Sequence, residues 1–352
     1  MIDGRIKSLP FFAVSVVTLP ISIFIYVVTS ILSVLTRGER PKSTGLTILV
    51  SGGRTTKSLV HARQFHRAGH RVILVEEKSH WFCATRYSNC VDRFYSLPDP
   101  LRSQAAYTAA LLKIVLKERV DIFVPCCGVA TTICDGIAKA ELQKHCTVLQ
   151  FDEQLGRRLD KKDAFMALCT EHGLEIPKTI TVYSPQDVMN YDFANDTRKR
   201  SYIMKCIGVD DRTRNDLTQY PYEPKAKMLA RLQSLNITPE NPYILQEFLN
   251  GKEYCCQSIS YKGVLRTFSA CASSDVLMNY KHIPPLSPSD PASTLDTVIS
   301  YQMLSFATKF AAKMDLTGPI AFDFITTSDG RLLPIEANPR THTANTNFYG
   351  SR

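Results

Sequence analysis

Three things are scarce in this chain, and each scarcity excludes a class. The 11 cysteines include no CxxC pair and no Cys/His spacing that would close a zinc site. The adjacent pairs Cys126-Cys127 and Cys255-Cys256 make poor disulfide frameworks. Thiols on apolar stretches such as Ile122-Phe123-Val124-Pro125-Cys126 fit buried cysteines in a reducing compartment, which points to the cytosolic side. Glycine is thin where a dinucleotide would need it: Ser51-Gly52-Gly53-Arg54-Thr55-Thr56-Lys57 lacks the full GxGxxG. A nicotinamide dehydrogenase therefore gains poor support, and a tight turn with a helix N-terminus open to some anion is the plainer reading. Long blocks of one charge are missing too. The 42 basic and 33 acidic residues give a net +9, scattered in short runs such as Arg198-Lys199-Arg200 and Arg212-Thr213-Arg214. No nucleic-acid signature accompanies them, so they read as solvated faces, then as anion contacts.

What is present is ordinary for a folded protein. A 44% hydrophobic content over 352 residues excludes disorder and leaves room for roughly two domains and an appendage. The appendage is the run from Leu9 to Leu35, which carries no charge and is flanked by Arg5 and Lys7 before and by Arg37, Arg40 and Lys42 after. About 20 apolar residues cross a bilayer, so the run over 9–35 predicts a membrane anchor despite Pro10 and Pro20. A surface-lying hairpin bent at Pro20 is the other reading. The basic flank after the run keeps the remainder in the cytosol.

After a polar linker over 38–45, Leu46 to Val50 reads as a buried strand, Thr55 to Ala68 as a helix stopped at Gly69, and Arg71 to Val75 as a second strand. Helices near Ser103 to Glu118 and Ala130 to Leu142 alternate with strands at Val120 to Pro125 and Thr147 to Phe151. That alternation predicts a parallel, doubly wound sheet. From Phe151 the pattern changes. Asp160 is placed as the cap of a helix running to His172, and Gly173 and Pro177 lead to a strand at Lys178 to Val182. Strands then dominate, at 201–207, 243–248, 253–261 and 264–271, so the second half is α+β.

The most informative stretch is Ala321 to Arg340. A two-residue turn at Asp329-Gly330 predicts a hairpin in which Asp323 lies opposite Glu336. Alternation puts Asn338 on their face and sends Phe322, Phe324, Leu333, Ile335 and Ala337 into a core. Opposed Cβ atoms stand about 5 Å apart, so two carboxylates and an amide oxygen there suit a hard cation such as that of a Mg-nucleotide. A merely solvated acidic face reads the same way in isolation. Lys205 sits mid-strand among apolar neighbours. It is read either as a solvent-facing lysine or as a phosphate contact beneath the polar loop that begins at Gly208. The strand Tyr243 to Phe248 leads through Gly251 to Glu253, an arrangement that suits an adenine and a ribose hydroxyl.

Taken in order, Asp160-x-Lys162, Gly173, Pro177, Lys205, Gln246-Glu247-Phe248 with Gly251-Lys252-Glu253, and Asp323 with Glu336-Ala337-Asn338-Pro339-Arg340 resemble the ATP-grasp superfamily. A closer resemblance, to the mycosporine-glycine synthase family (4-deoxygadusol–glycine ligases), rests on 51–57, His66 to Glu76, Arg86-Tyr87-Ser88-Asn89, Arg93-Phe94-Tyr95, 246–253 and Ile335 to His342. With the anchor and its linker taking 1–42, the resemblance implies a Rossmann-like pre-ATP-grasp domain over 43–151 and an ATP-grasp domain over 152–352. It implies ATP and magnesium, or manganese in its place, with Lys162 and Lys205 on phosphates, Gln246 and Phe248 framing adenine, and Glu253 on the ribose. Asp323, Glu336 and Asn338 would hold the metal, and Arg340, with Lys205, would face the transferring phosphoryl group. The substrates implied are a cyclic enol acceptor and glycine. The chain ends at Arg352, where such ligases continue, so a C-terminally truncated, inactive ATP-binding protein stays open, as does a carboxylate-amine ligase with other substrates. His342 reads equally as an acceptor contact or as a structural hydrogen-bonding residue.

Overall fold

The computed structural model describes residues 4–35, 45–126, 128, 131–196, 198–207, 216–273 and 280–348. The loop from Gly208, the Arg212 to Arg214 run, Cys127 and most of the 38–45 linker lie outside these. The chain divides into two compact units, Met1–Thr44 and Gly45–Arg352.

In the first unit, α1 (Gly4–Leu35) is one helix that passes Pro20 without ending, so the hairpin bent at that residue is not formed. Hydroxyls within it turn back onto carbonyls one turn earlier, Thr18 to Val14 at 2.9 Å and Ser22 to Thr18 at 3.0 Å. Its apolar side chains stand exposed, Val17 at 73% and Phe24 at 67%. Among the described residues no helix is long and apolar enough to cross a membrane. The span expected over 9–35 is therefore unsupported.

The second unit opens with β1 (Thr47–Val50), α2 (Thr56–Arg67), β2 (Arg71–Glu77), β3 (Arg93–Leu97), α3 (Gln104–Glu118), β4 (Ile122–Val124), α4 (Thr132–Leu142) and β5 (Thr147–Val148). The strands form one sheet in the order β3-β2-β1-β4-β5, every pair parallel. Both faces are covered, which is why β1 and β2 read as continuous apolar runs. Leu49, Ile73 and Phe123 face one core, and Ile48, Val72 and Leu74 the other. The strand β3 was not anticipated. Only Leu97 of its five residues is buried, so it carries almost no periodic signal.

Next come α5 (Glu153–Asp160) and α6 (Lys162–Glu171), where one helix capped by Asp160 was expected. Asp152 is the cap of α5, accepting from Leu155 N at 2.8 Å. Lys161, at φ −89° and ψ 127°, breaks the helix and places Lys162 at the head of the second piece. Gly173, at φ +67°, stops it.

Two antiparallel sheets follow. The first contains β6 (Thr179–Val182), β7 (Tyr202–Cys206), β8 (Gln219–Tyr220) and β9 (Tyr243–Glu247) in the order β6-β9-β7-β8, with α7 (Pro185–Met189) and α8 (Lys225–Ser234). Met204, Tyr243 and Leu245 pack with Val188 and Leu232 of these helices, which leaves Ile203, Lys205, Ile244 and Gln246 on the opposite face. The second contains β10 (Glu253–Tyr261), β11 (Val264–Ala272), β12 (Gly318–Thr326) and β13 (Leu332–Asn338) in the order β11-β10-β12-β13, with α9 (Leu295–Lys313) between β11 and β12. One face of this sheet is sealed by α6 and α9: Tyr254, Cys256, Phe322, Phe324 and Ala337 share a core with Phe165, Met303 and Phe310.

Candidate active site

The open face of this last sheet carries the acidic residues, and the β12–β13 hairpin sets their register by an unexpected route. Thr327 N donates to Arg331 O at 2.9 Å and Gly330 N to Thr327 O at 3.0 Å, so the loop is Ser328-Asp329-Gly330 rather than a two-residue turn. Gly330 supplies the positive φ that such a loop requires, +82°. This loop alone would set Asp323 opposite Ile335. A β-bulge restores the pairing: Phe324 lies opposite Pro334, and beyond the bulge Asp323 lies opposite Glu336 and Ala321 opposite Asn338. Pro334 cannot donate to the ladder and is tolerated at such a break. Ile335, the extra residue, is only half-buried instead of joining the core as expected. Phe322, Phe324, Leu333 and Ala337 are buried.

Across the sheet, Cys255 lies opposite Asp323, so Glu253 and Gln257 share its face. Asn338 Nδ2 donates to Asp323 Oδ2 at 2.9 Å. Arg340 donates to the Asn338 amide oxygen and, at 3.2 Å, to Asp160 Oδ1. Burial, then the neighbouring Glu336 and Glu253 carboxylates, pushes the Asp323 carboxyl up to about 7, against the opposing pull of Asn338 and Arg340. The Lys205 ammonium is lowered by burial and by Lys162, with Glu336 and Glu253 acting in the other direction. Lys205 thus feels Lys162, Glu336 and Glu253, Asp323 feels Glu336, Glu253 and Arg340, and Asn338 bonds directly to Asp323.

Gln246 and Phe248 are placed differently. Gln246 is buried on the face of its sheet that carries Lys205, with Nε2 donating to Thr179 Oγ1 at 3.0 Å. Phe248 is half-buried just after β9, its N–H given to Ser201 O at 2.7 Å. Among the described residues no hydrogen bond or ion pair of either reaches the acidic group.

Two further sets of residues frame the site and were missed in the sequence. Glu247, 6% exposed, binds Arg331 at 2.9 Å and Arg200 at 3.4 Å and accepts from Lys178 N at 3.1 Å, tying β9 to the hairpin. Its signal was an acid inside an apolar strand. Lys57, buried on α2, donates to Thr341 O at 2.9 Å. The segment after Arg340 is further held by Asn345 Nδ2 on Lys57 O at 3.2 Å and by His342 N on Gln257 Oε1. His342 is kept neutral down to about 4 by burial, then by Lys57 and Arg340. Its Nδ1 accepts from Ala344 N at 3.2 Å, which leaves the proton on Nε2. The Lys57 signal was its place in the first turn of the helix after Gly52-Gly53.

The geometry also bears on the dinucleotide reading. In that fold an acid after the second strand takes the ribose. Here Glu76 accepts from Arg54 N and Glu77 N, each at 2.8 Å, and is spent on the turn itself.

Among the described residues no group of three or more His, Cys, Asp or Glu side chains closes a metal site by itself. Two carboxylates and an amide oxygen form a hard but incomplete donor set. This fits magnesium, which keeps waters or substrate phosphates in its shell.

No protein-family model and no curated protein sequence matches the chain. Solved structures do. An L-amino acid ligase from Bacillus licheniformis superposes with a TM-score of 0.58 at 12% identity, over 87% of this chain and 69% of that one. The N5-carboxyaminoimidazole synthetase from Staphylococcus aureus, complexed with ADP, gives 0.57 at 15% identity, over 85% and 71%. The biotin carboxylase domain of the Hydrogenobacter thermophilus 2-oxoglutarate carboxylase, in complex with MgADP and bicarbonate, gives 0.56 at 15%, over 87% and 67%. The likeness is one of fold, a mixed α/β arrangement of the ATP-grasp kind.

Proposed function

We propose that this protein is an ATP- and magnesium-dependent ligase that joins an amino acid to a small acceptor through a phosphorylated intermediate. The observation that carries the reading is the shared face of Asp323, Glu336 and Asn338, with Lys205 in the field of Glu336 and Lys162 in that of Lys205. In this reading Asp323, Glu336 and Asn338 hold magnesium, or manganese in its place. The bound ion neutralises the triphosphate. The two lysines bind phosphate oxygens, Glu253 holds the ribose, Gln246 and Phe248 border the adenine, and Arg340 stabilises charge on the phosphoryl group as it passes in line to an acceptor oxygen. The amine then adds, and phosphate leaves with that oxygen.

The finer proposal is glycine as the amine and 4-deoxygadusol as the acceptor, supported by the resemblance over 51–95, 246–253 and 335–342. With an acyl phosphate in place of the enol phosphate, the same machinery makes a carboxylate-amine ligase, the kind of protein the Bacillus licheniformis neighbour is named as. Incubating the full chain with ATP, magnesium, 4-deoxygadusol and glycine separates the readings. An absorbance shift with matching ADP supports the finer one, ADP only with a carboxylate acceptor supports the second, and ATP binding without ADP from any acceptor supports an inactive ATP-binding protein. Localisation belongs to the proposal as well: the exposed apolar side chains of α1 tether the ligase region to a lipid surface on the cytosolic side. Equal flotation with vesicles of the full chain and of a chain lacking 1–44 would refute this.

A further inference from the structure

Two thiols meet on the open face of the last sheet, and the reaction above makes no use of them. Cys255 on β10 lies directly opposite Cys271 on β11, and the two Sγ atoms stand 3.3 Å apart. Opposed residues of an antiparallel pair project to the same face with Cα atoms about 4.5–5.5 Å apart, inside the roughly 4.4–6.8 Å that a disulfide bridges. Small side-chain rotations would therefore join the sulfurs with little movement of either strand. The neighbouring Cys256 points the other way, into the core with Phe310 and Phe322. Every described cysteine is a free thiol, so the pair stands reduced.

The surroundings place this pair where a bridge would be felt. On its other side Cys255 lies opposite Asp323, so the sulfurs belong to the face that carries the acidic group. Ala344 and Tyr280 pack against them. Asn347 Nδ2 donates to Ser269 Oγ at 2.9 Å, and Ser269 shares the face of Cys271. Ala344 and Asn347 both belong to the turn Thr343–Phe348, a few residues beyond Arg340. The Cys271 thiol is lowered by its hydrogen bond from Cys255, against the effect of burial, and then by Asn347. Both residues are buried, at 3% and 0% exposure, so a water-sized oxidant such as a peroxide fits the site better than a bulky disulfide.

We infer that Cys255 and Cys271 are a reversible redox pair, which a peroxide closes into a cross-strand disulfide. The Cys271 thiol gives up its proton and its sulfur attacks one peroxide oxygen. The O–O bond breaks, a sulfenic acid forms, and the departing hydroxide takes the proton as water. The Cys255 sulfur then attacks the sulfenic sulfur, the S–O bond breaks, and the oxygen leaves with the Cys255 proton as a second water. Two thiols have lost two electrons, and the peroxide has been reduced to two waters. A dithiol reductant reverses the bridge. In a reducing compartment such a pair rests open and closes transiently under oxidation. Closure moves Cys271 beneath Ala344 and disturbs the turn beyond Arg340, whose contacts with Asn338 and Asp160 belong to the reduced form. Oxidation therefore slows ADP formation. That consequence rests on the ligase reading; the bridge itself does not.

Peptide mapping of the full chain by mass spectrometry tests the bridge. After treatment with hydrogen peroxide and alkylation of the remaining thiols, the fragment joining Cys255 to Cys271 is expected as the first linked species, and dithiothreitol should abolish it. Cys256→Ala should still form the bridge, and Cys255→Ala should not. Melting curves will show that these variants fold, and the mapping of the unsubstituted protein decides the matter should either fail to. ADP formation should fall about fivefold or more on oxidation, recover with dithiothreitol, and be insensitive to peroxide in Cys255→Ala. Absence of the linked fragment, a link through Cys256 in its place, or irreversible sulfinic acid at Cys271 would overturn the inference. A bridge that forms while ADP formation stays constant would overturn its control of turnover. A reversible bridge in a chain that makes no ADP even when reduced would support the pair and remove the ligase reading.

Discussion

The carboxyl of Asp323 should be a cost to the metal-free fold and a requirement of the loaded one. Its pKa rises from 3.8 to about 7 through burial and the adjoining Glu336 and Glu253. The folded state therefore holds this proton more tightly than the unfolded chain, so the stabilising contribution is complete below about pH 4 and is lost as pH rises through about 7. Three pKa units at about 1.4 kcal/mol each give a ceiling near 4 kcal/mol. It is a ceiling because Asp323 keeps part of its surface open to the cleft. The isosteric Asp323→Asn keeps the contact with Asn338 and removes the charge. Without metal it should melt above the unsubstituted protein, by up to about 8 °C at pH 8, taking roughly 2 °C per kcal/mol for a unit of this size. The gap should close toward pH 4. Comparing the two proteins at each pH cancels His61 and His342, which are held neutral to about 4 and shift stability the opposite way, losing it as pH falls from about 6.5. Adding magnesium and ATP should raise the melting temperature of the unsubstituted protein far more than that of the variant, and magnesium-dependent ADP formation should vanish in the variant. A variant no more stable than its parent at pH 8, or a gap that does not change with pH, would refute the reasoning.

Lys205→Met should lower ADP formation by roughly 100-fold while moving the melting temperature little, since it removes a half-buried charge from the cleft and leaves the core untouched; a turnover assay beside a melting curve checks both parts. Phe322→Ala should destabilise by about 4 kcal/mol in a denaturant titration, because the ring is fully buried and touches Phe165, Phe306 and Phe310. Glu247→Gln breaks a buried link to Arg200 and Arg331 and should cost about 3 kcal/mol, with Arg331→Met in the same background costing much less than it does alone. Gly251→Ala would place a Cβ 1.6 Å from Thr326 O. The backbone must shift there, and a loss of about 3 kcal/mol or failure to fold is expected on expression and melting.

What the sequence revealed, and what it hid, follows from how local each cause is. The parallel sheet was legible because both faces of β1 and β2 are buried and their apolar runs are unbroken, whereas β3 has one buried residue and no period to detect. The helix α9 was overlooked although Thr294 and Thr297 form a capping box at its start, a signal of two residues easily lost between long strand patterns. The break between α5 and α6 depends on a single extended residue, Lys161. Most instructive is the hairpin. The facing pair Asp323 and Glu336 was read from symmetry about a two-residue turn, yet the loop has three residues and the pairing is recovered only by the bulge at Ile335. A one-residue slip would have turned Glu336 and Asn338 toward Phe322 and Phe324. Charged groups cannot be accommodated in that aromatic core. Burial of the two rings therefore selects the bulged register over the regular one, and the acidic face owes its geometry to the apolar side chains behind it. Lys57, Gln257 and Glu247 were harder to find, since each acts on a residue distant in sequence. Their partners, Thr341, His342 and Arg331, become neighbours only once the sheets have packed.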